Sequence, residues 1–322
     1  MLSDRGIKQA IDDGRLVIET FNHESLKPCS YELTMERIWR VARPHLDRDH
    51  YSIEEFVDKC CEPYEGVMLP GMNYIGISRE KMLSVLHTNI STRSGIARLG
   101  IKTEQIPRDR NNTSTHLYFH INTFNTTCEI PEGVSMAQAF FDTMLPVSRD
   151  ELERLISSDK IGNFQLIPEN DGRYYTETPY SLLMHTGCGM KSYTGKVLRY
   201  GANNDGCFDE IGTDDLQYLL PGHFYLAHTQ ERVEMPGDFA GVIRRLPADF
   251  GYGYIDPNSV LVMPGTRHSI VLEMNFPQGM PVRAGEPICR MDLYQLDRHP
   301  EQLYNGRHQN QSGPQTSLSH LD

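Results

Sequence analysis

Two short stretches of the chain carry side chains whose types and spacing could do chemistry. TRSGIARLG (Thr92–Gly100) sets a guanidinium, a hydroxyl and the open backbone of a glycine side by side at Arg93, Ser94 and Gly95. Such a turn holds phosphate oxygens well: arginine forks onto them, and unobstructed N–H groups surround them. A second cation, Arg98, follows in the same stretch. HSIVLEMNF (His268–Phe276) sets Glu273 in an otherwise apolar run. Burial disfavours the ionised carboxylate and raises its pKa, which suits a general acid or base. Taken singly, each stretch also has a plainer reading. Arg-Ser-Gly makes ordinary polar turns, and a strand glutamate often pairs with an arginine.

The elements that must position these residues are mostly strands. Short runs such as HLYFHINTF (His116–Phe124) and HSIVLEMNF are cut by Pro, Gly and Asn at close spacing, the pattern of an all-β sandwich or barrel. A few short helices are expected. Ser3 or Asp4 can cap one reaching Asp13, with Ile7, Ala10 and Ile11 as its apolar stripe and Gly14 beyond its end. A second is expected over Ile53–Cys61, and a third after Ser148, where Glu151 completes a capping-box pattern. The polar stretch from Ser157 to Tyr180 reads as a linker. Composition alone makes the Gln-, Ser- and His-rich residues from Tyr304 onward a disordered tail.

An internal repeat organises the chain. Leu69–Gly100 aligns without a gap on Leu220–Gly251, at an offset of 151 (Leu220 less Leu69). The turn Leu-Pro-Gly, the pair Glu80 and Glu231, and the closing pair Gly100 and Gly251 all match. The chain therefore reads as two related β domains. Their chemistry is not duplicated. At this offset Ser94 becomes Arg245 and Arg98 becomes Asp249. Glu273 falls on Asn122, or on Ile121 if the two strands are matched end to end. Each copy holds half of a site and lacks the other half, which is what a single site between the copies would leave.

These motifs together resemble the dCTP deaminase and dUTPase superfamily, and specifically its long, duplicated dCTP deaminases. LSDRGIKQAIDDGRLVI resembles their first helix and KPCSYELTM (Lys27–Met35) their first strand, with Glu32 where aspartate is usual. RSGIARLG resembles the nucleotide-binding motif, although its Ser-Gly is closer to dUTPases. IVLEMN carries Glu273 at the place of the catalytic glutamate. GYGYIDP (Gly251–Pro257) resembles the substrate strand. HQNQSGPQTS (His308–Ser317) resembles the nucleotide-covering tail, with His308 where tyrosine is usual and Asn310 where glycine is. The resemblance implies a mainly β chain of two tandem dUTPase-like, distorted jelly-roll (β-clip) domains. Their expected bounds are 1–156 and 184–300, with a linker over 157–183 and a flexible lid over 301–322.

The resemblance also implies hydrolytic deamination of dCTP to dUTP, with Glu273, Arg98 and Ser94 catalytic. Arg93, Gly95, Ile255, Asp256, Gln309 and Gln311 would bind substrate. Mg²⁺ would arrive on the triphosphate, with no ligand from the protein, and the enzyme would be a homo-oligomer. The alternatives are a dUTPase, or a bifunctional enzyme giving dUMP, and a non-catalytic nucleotide-binding protein. A zinc deaminase would need the H-x-E and C-x-x-C ligand set; the chain has no C-x-x-C, and zinc is not expected.

Bulk properties fit this frame. The formal net charge is −12 and no Lys/Arg cluster stands out, which argues against nucleic acid as the partner. A nucleotide must then be held by a few placed cations. Seven cysteines without a secretory signal argue against a disulfide framework. No apolar run is long enough to span a membrane, and a cytoplasmic protein is expected.

Overall fold

A computed structural model describes residues 1–43, 51–107, 116–142, 147–158, 160, 164–168, 180–246, 259–276 and 279–318. The chain is dominated by antiparallel strands. In the first repeat the strands lie in the order His87–Thr92, Ser135–Asp142, Ser30–Val41, Asn73–Ser84, His116–Thr123 and Ile101–Gln105. The second repeat has two larger sheets, besides the pair Gln217–Leu219 and Met280–Val282. One runs Gln165–Pro168, Tyr180–His185, Pro287–Gln295, Phe239–Arg244 and Leu261–Val262; the other runs Phe208–Ile211, Met190–Tyr193, Phe224–Glu234 and Arg267–Asn275. Among the described residues no helix is long and apolar enough to cross a membrane.

The helices follow their caps. Helix α1 (Asp4–Asp12) starts where Ser3 Oγ accepts from Gly6 N–H, and Gly14 beyond its end takes the left-handed φ of +70°. Helix α2 (Ile53–Cys60) has a complete capping box between Ser52 and Glu55. A single turn, α3 (Ser94–Ala97), forms where only a loop-like turn was expected. Helix α4 (Arg149–Ser157) is capped by Ser148, whose side chain accepts from Glu151 N–H.

The repeat is visible bond by bond. Leu69 N–H donates to Tyr74 Oη at 2.8 Å, and its counterpart Leu220 N–H donates to Tyr225 Oη at 2.9 Å. Thr34 N–H donates to Glu80 Oε2, and His185 N–H to Glu231 Oε2, both at 2.9 Å. Gly71 and Gly222 share a left-handed φ of 70° and 69°. These matches explain why the glutamate pair persists: each carboxylate satisfies a backbone donor inside its own repeat.

The pairing register corrects one expectation. Ile75 faces His120, and its counterpart Leu226 faces Glu273. Glu273 therefore corresponds to His120, not to Asn122 or Ile121, and the offset on this strand is 153 (Glu273 less His120). Two extra residues enter the second repeat before this strand, where an ungapped alignment cannot place them.

Two further expectations change. Residues 157–183 are not all linker: Gln165–Pro168 pairs with Tyr180–His185, and Leu182 and Leu183 are buried. The second repeat thus begins ahead of residue 184. The tail, disordered by composition, packs across both repeats, with Gln311, Thr316 and Ser317 buried.

The repeats share their core. Phe208, Phe224, Leu226 and Val271 of the second pack with Ile96, Leu99, Phe119 and Cys128 of the first. Cys128–Glu129 pairs in parallel with Leu198–Arg199 across the boundary. Met1, Cys29 and Phe140 pack with Ala240, Val242 and Leu261. Burying apolar side chains against each other, about 25 cal/mol per Å² removed from water, holds the two repeats in one arrangement.

Candidate active site

Strand alternation aims Glu273 at the first repeat. In Arg267–Asn275, Leu272 and Met274 point into the second repeat's core, so Val271 and Glu273 take the opposite face. From the other side, Ile96, Ala97 and Leu99 are buried in the first repeat while Arg98 extends toward the second. Gly100 closes this stretch at φ +72°, with Thr126 so near that a Cβ there would lie 2.5 Å from its Cγ2. Only glycine fits that position.

Arg98 Nε comes within 3.8 Å of Glu273 Oε1, and their side chains are 3% and 1% exposed. The halves expected from the two copies thus meet inside one polypeptide. Burial pushes the Glu273 carboxyl up to about 7, with Arg98 and the backbone N–H groups of Glu273 and Ser259 pulling it back. Burial also pulls the Arg98 guanidinium down to about 10, against the opposing effect of Glu273. Among the described residues, Glu273 Oε2 and Arg98 Nε have no hydrogen-bond partner. Such groups cost stability where they stand and can take a partner from a bound molecule.

A cavity of about 60 Å³ opens beside this pair, lined among others by Ser94, Ser259, Met263, His268 and Tyr304. Ser94 and Ser259 are joined through their hydroxyls at 3.1 Å. Ser259 was not expected at the site; nothing in its sequence neighbourhood distinguishes it from a loop serine. His268 was also not expected, and burial lowers its pKa to about 4, so it is a neutral wall. The narrow cavity adjoins a cleft of about 850 Å³, and Ser94, Met263, Tyr304 and His308 line both. Lys27, Arg93, Gly95 and Arg307 line the cleft, as does Glu32. Arg93 Nε is 2.9 Å from Glu32 Oε1, and Lys27 Nζ is 3.8 Å from Glu32 Oε2. The two cations are thus gathered by one carboxylate.

The tail closes over Arg98. Arg98 Nη1 donates to His308 Nδ1 at 2.9 Å, to Gln311 Oε1 and Gln315 O at 3.2 Å, and to Thr316 O at 3.4 Å. Thr316 Oγ1 donates to Asp205 Oδ1 at 2.8 Å. Asn310 sits at φ +61°, a left-handed position that asparagine tolerates and that explains glycine as the usual residue there. Gln309 differs from expectation. It accepts from Arg267 N–H and donates to Gly265 O and Tyr304 O, so it pins the tail to a turn rather than facing the cleft. Ile255 and Asp256 lie outside the described residues.

Residues 1–144 match the dCTP deaminase-like family. The chain is 29% identical over 106 residues to a protein of Aquifex aeolicus named dCTP deaminase, dUMP-forming, covering 32% of this chain and 59% of that one. A protein of the same name from Corynebacterium glutamicum is 33% identical over 115 residues, covering 32% and 58%. The chain spans about six-tenths of the length of these relatives. The crystal structure of 2'-deoxycytidine 5'-triphosphate deaminase from Agrobacterium tumefaciens superposes with a TM-score of 0.73 at 15% identity, covering 93% of this chain and 98% of that one. The likeness of fold to that structure therefore extends beyond residues 1–144 and through the second repeat.

Proposed function

We propose that this chain is a hydrolase that deaminates dCTP, with Glu273 as its general acid and base. The observation that carries this reading is the buried carboxylate at the end of the cavity. It has one oxygen unpartnered among the described residues and a cation 3.8 Å away. A water held against Glu273 gives up a proton to it as its oxygen bonds to C4 of cytosine, and Glu273 passes that proton to N3. The C4–N bond of the tetrahedral centre then breaks. The second proton of the added oxygen goes through Glu273 to the leaving nitrogen, so the products are uracil and ammonia. A group with a pKa of about 7 gives and takes a proton equally well at neutral pH, which both halves of this cycle need.

Arg98 holds the carboxylate in the ionised form needed at the start of the cycle. Ser94, tied to Ser259, orients the water. The triphosphate lies in the wide cleft against Arg93, Lys27 and the backbone of Gly95, with Mg²⁺ offsetting its charge. Arg93 exchanges part of its contact with Glu32 for phosphate oxygens. Gln311 acts indirectly, by seating the tail on Arg98 rather than by touching phosphate.

The names of the relatives favour a second reading in which dUTP is hydrolysed onward to dUMP, with Asp256 activating the second water. One experiment tests both: incubation with dCTP and Mg²⁺, then chromatography of the nucleotide and assays of ammonia and pyrophosphate. Ammonia with dUTP supports deamination alone. Ammonia with pyrophosphate and dUMP supports the bifunctional enzyme. Absence of ammonia, with nucleotide binding intact, leaves the non-catalytic alternative.

A further inference from the structure

The two repeats present the same sheet face to different neighbours. In the second repeat, Phe224, Leu226, Val271 and Glu273 form the face that docks on the first repeat. Phe224 stacks on Phe124 of the first repeat, with ring centroids 6.5 Å apart. By register, the same positions in the first repeat are Asn73, Ile75, Tyr118 and His120. That face does not receive a repeat. Helix α2 lies on it instead: Ile53, Phe56 and Cys60 pack on Ile75 and Ile106, with Tyr118 at the margin. Tyr118 Oη donates to Glu54 Oε1 of α2 at 3.2 Å. Among its described residues the second repeat has no counterpart of α2. Its matching segment holds only the three-residue 3-10 helix Asp205–Cys207 and the strand Phe208–Ile211. There Phe208 joins the shared core rather than sealing a face off.

We infer that α2 is a cap on the docking face of the first repeat, which keeps a second copy of this chain from docking there as the second repeat docks on the first. The sheet geometry that accepts a neighbour is present in both repeats, since their pairing is residue-for-residue equivalent. What differs is the cover. An uncovered face centred on Ile75 would expose an apolar patch of the kind that drives association. The helix seals it from within the chain and pays no cost in lost translational freedom, as a second molecule would. The sequence adds a second barrier at the position of the catalytic carboxylate: His120 bonds Asn73 Oδ1 at 2.9 Å where Glu273 meets Arg98.

The strand pairing supplies the test. Val41 is paired with Cys61, so residues 42–60 can be replaced by Asn-Gly, which closes such a hairpin. A second variant, Phe56→Asp, lifts the helix without shortening the chain. Molar mass is measured by light scattering against the full chain, with circular dichroism and a thermal melt to establish folding. Both variants are expected to shift to at least twice the molar mass of the parent assembly. Adding Ile75→Lys, at the counterpart of Leu226, is expected to reverse the shift. An unchanged mass in the folded variants overturns the proposal. So does association that persists with Ile75→Lys, which reveals unspecific stickiness rather than docking. The outcome does not depend on which nucleotide the chain acts on.

Discussion

Replacing Arg98 by methionine keeps much of its volume and removes its charge from beside Glu273. The magnitude follows from the 3.8 Å separation. Two unit charges at that distance interact by about 1 kcal/mol in water and about 4 kcal/mol at the effective dielectric of a protein. Since each pKa unit is worth about 1.4 kcal/mol, the Glu273 pKa should rise by about 1 to 3 units. In the native chain it stands at about 7, so roughly half the carboxylates are ionised at neutral pH. In the variant that fraction falls to between about one in ten and one in a thousand. The rising limb of the pH profile of kcat/KM for dCTP should move to higher pH by the same 1 to 3 units, roughly. Arg98 also seats the tail, so the profile is paired with a direct titration of the carboxyl by isotope-edited infrared spectroscopy. A Glu273 titration that stays put, or moves down, would refute the idea that Arg98 sets the proton affinity of this carboxylate.

Other outcomes follow from the same geometry. Glu273→Gln should abolish turnover yet stabilise the fold as pH rises. The native pKa of about 7 lies above the ordinary 4.5, so the penalty of the buried carboxyl is absent below 4.5 and complete above 7. The variant's urea stability relative to native should therefore climb by up to about 3 kcal/mol across that window. His308 is held neutral, at about 2 against an ordinary 6.5, mainly by burial and next by Arg98. Its contribution to tail docking is therefore present above 6.5 and lost progressively as pH falls below it. Limited proteolysis of the tail should accelerate at pH 5.5 over pH 7.5, and less so in His308→Phe. Removing the chain from Tyr304 onward should raise KM for dCTP at least tenfold, roughly, with the melting transition retained. Mixing Arg98→Ala and Glu273→Gln chains should restore no activity, because both residues of a site belong to one polypeptide; restored turnover would place the site between chains.

The sequence carried the duplication clearly because turn chemistry is demanding. A Leu-Pro-Gly turn needs its left-handed glycine, and a buried glutamate needs a backbone donor, so both survive in both copies. Glu273 stood out because a carboxylate in an apolar strand conflicts with its surroundings. Register was less legible. Hydrophobic alternation repeats every two residues, so a two-residue insertion leaves the pattern unchanged and hides the match of Glu273 to His120. The tail is illegible in the sequence for a different reason. Its glutamines and serines look solvated until a buried cation is present to receive them, and Arg98 lies more than two hundred residues away in the chain. Gln165–Pro168 looked like linker because a short edge strand needs few apolar residues. Ser259 had no signal, since its role depends entirely on meeting Ser94 across the repeat boundary.

The asymmetry between the repeats has an energetic logic. A buried arginine and glutamate each lose hydration worth several kcal/mol, and their attraction returns only part of it when hydrogen bonds are missing. Arg98 and Glu273 each keep an atom unpartnered among the described residues, which is a burden on the fold. A chain gains from carrying that burden only where it supports chemistry. At the equivalent face of the first repeat no such pair is needed, and Ile53, Phe56 and Cys60 of α2 bury apolar surface there instead. On the proposed reading, one face carries a proton-transfer pair at the expense of stability, and its twin contributes stability. This division predicts unequal responses to perturbation. Removing the Glu273 charge should leave or raise stability above pH 7 while turnover falls. Loss of Phe56 should leave turnover intact while stability falls by about 3 kcal/mol or more, as for other buried aromatics cut to alanine.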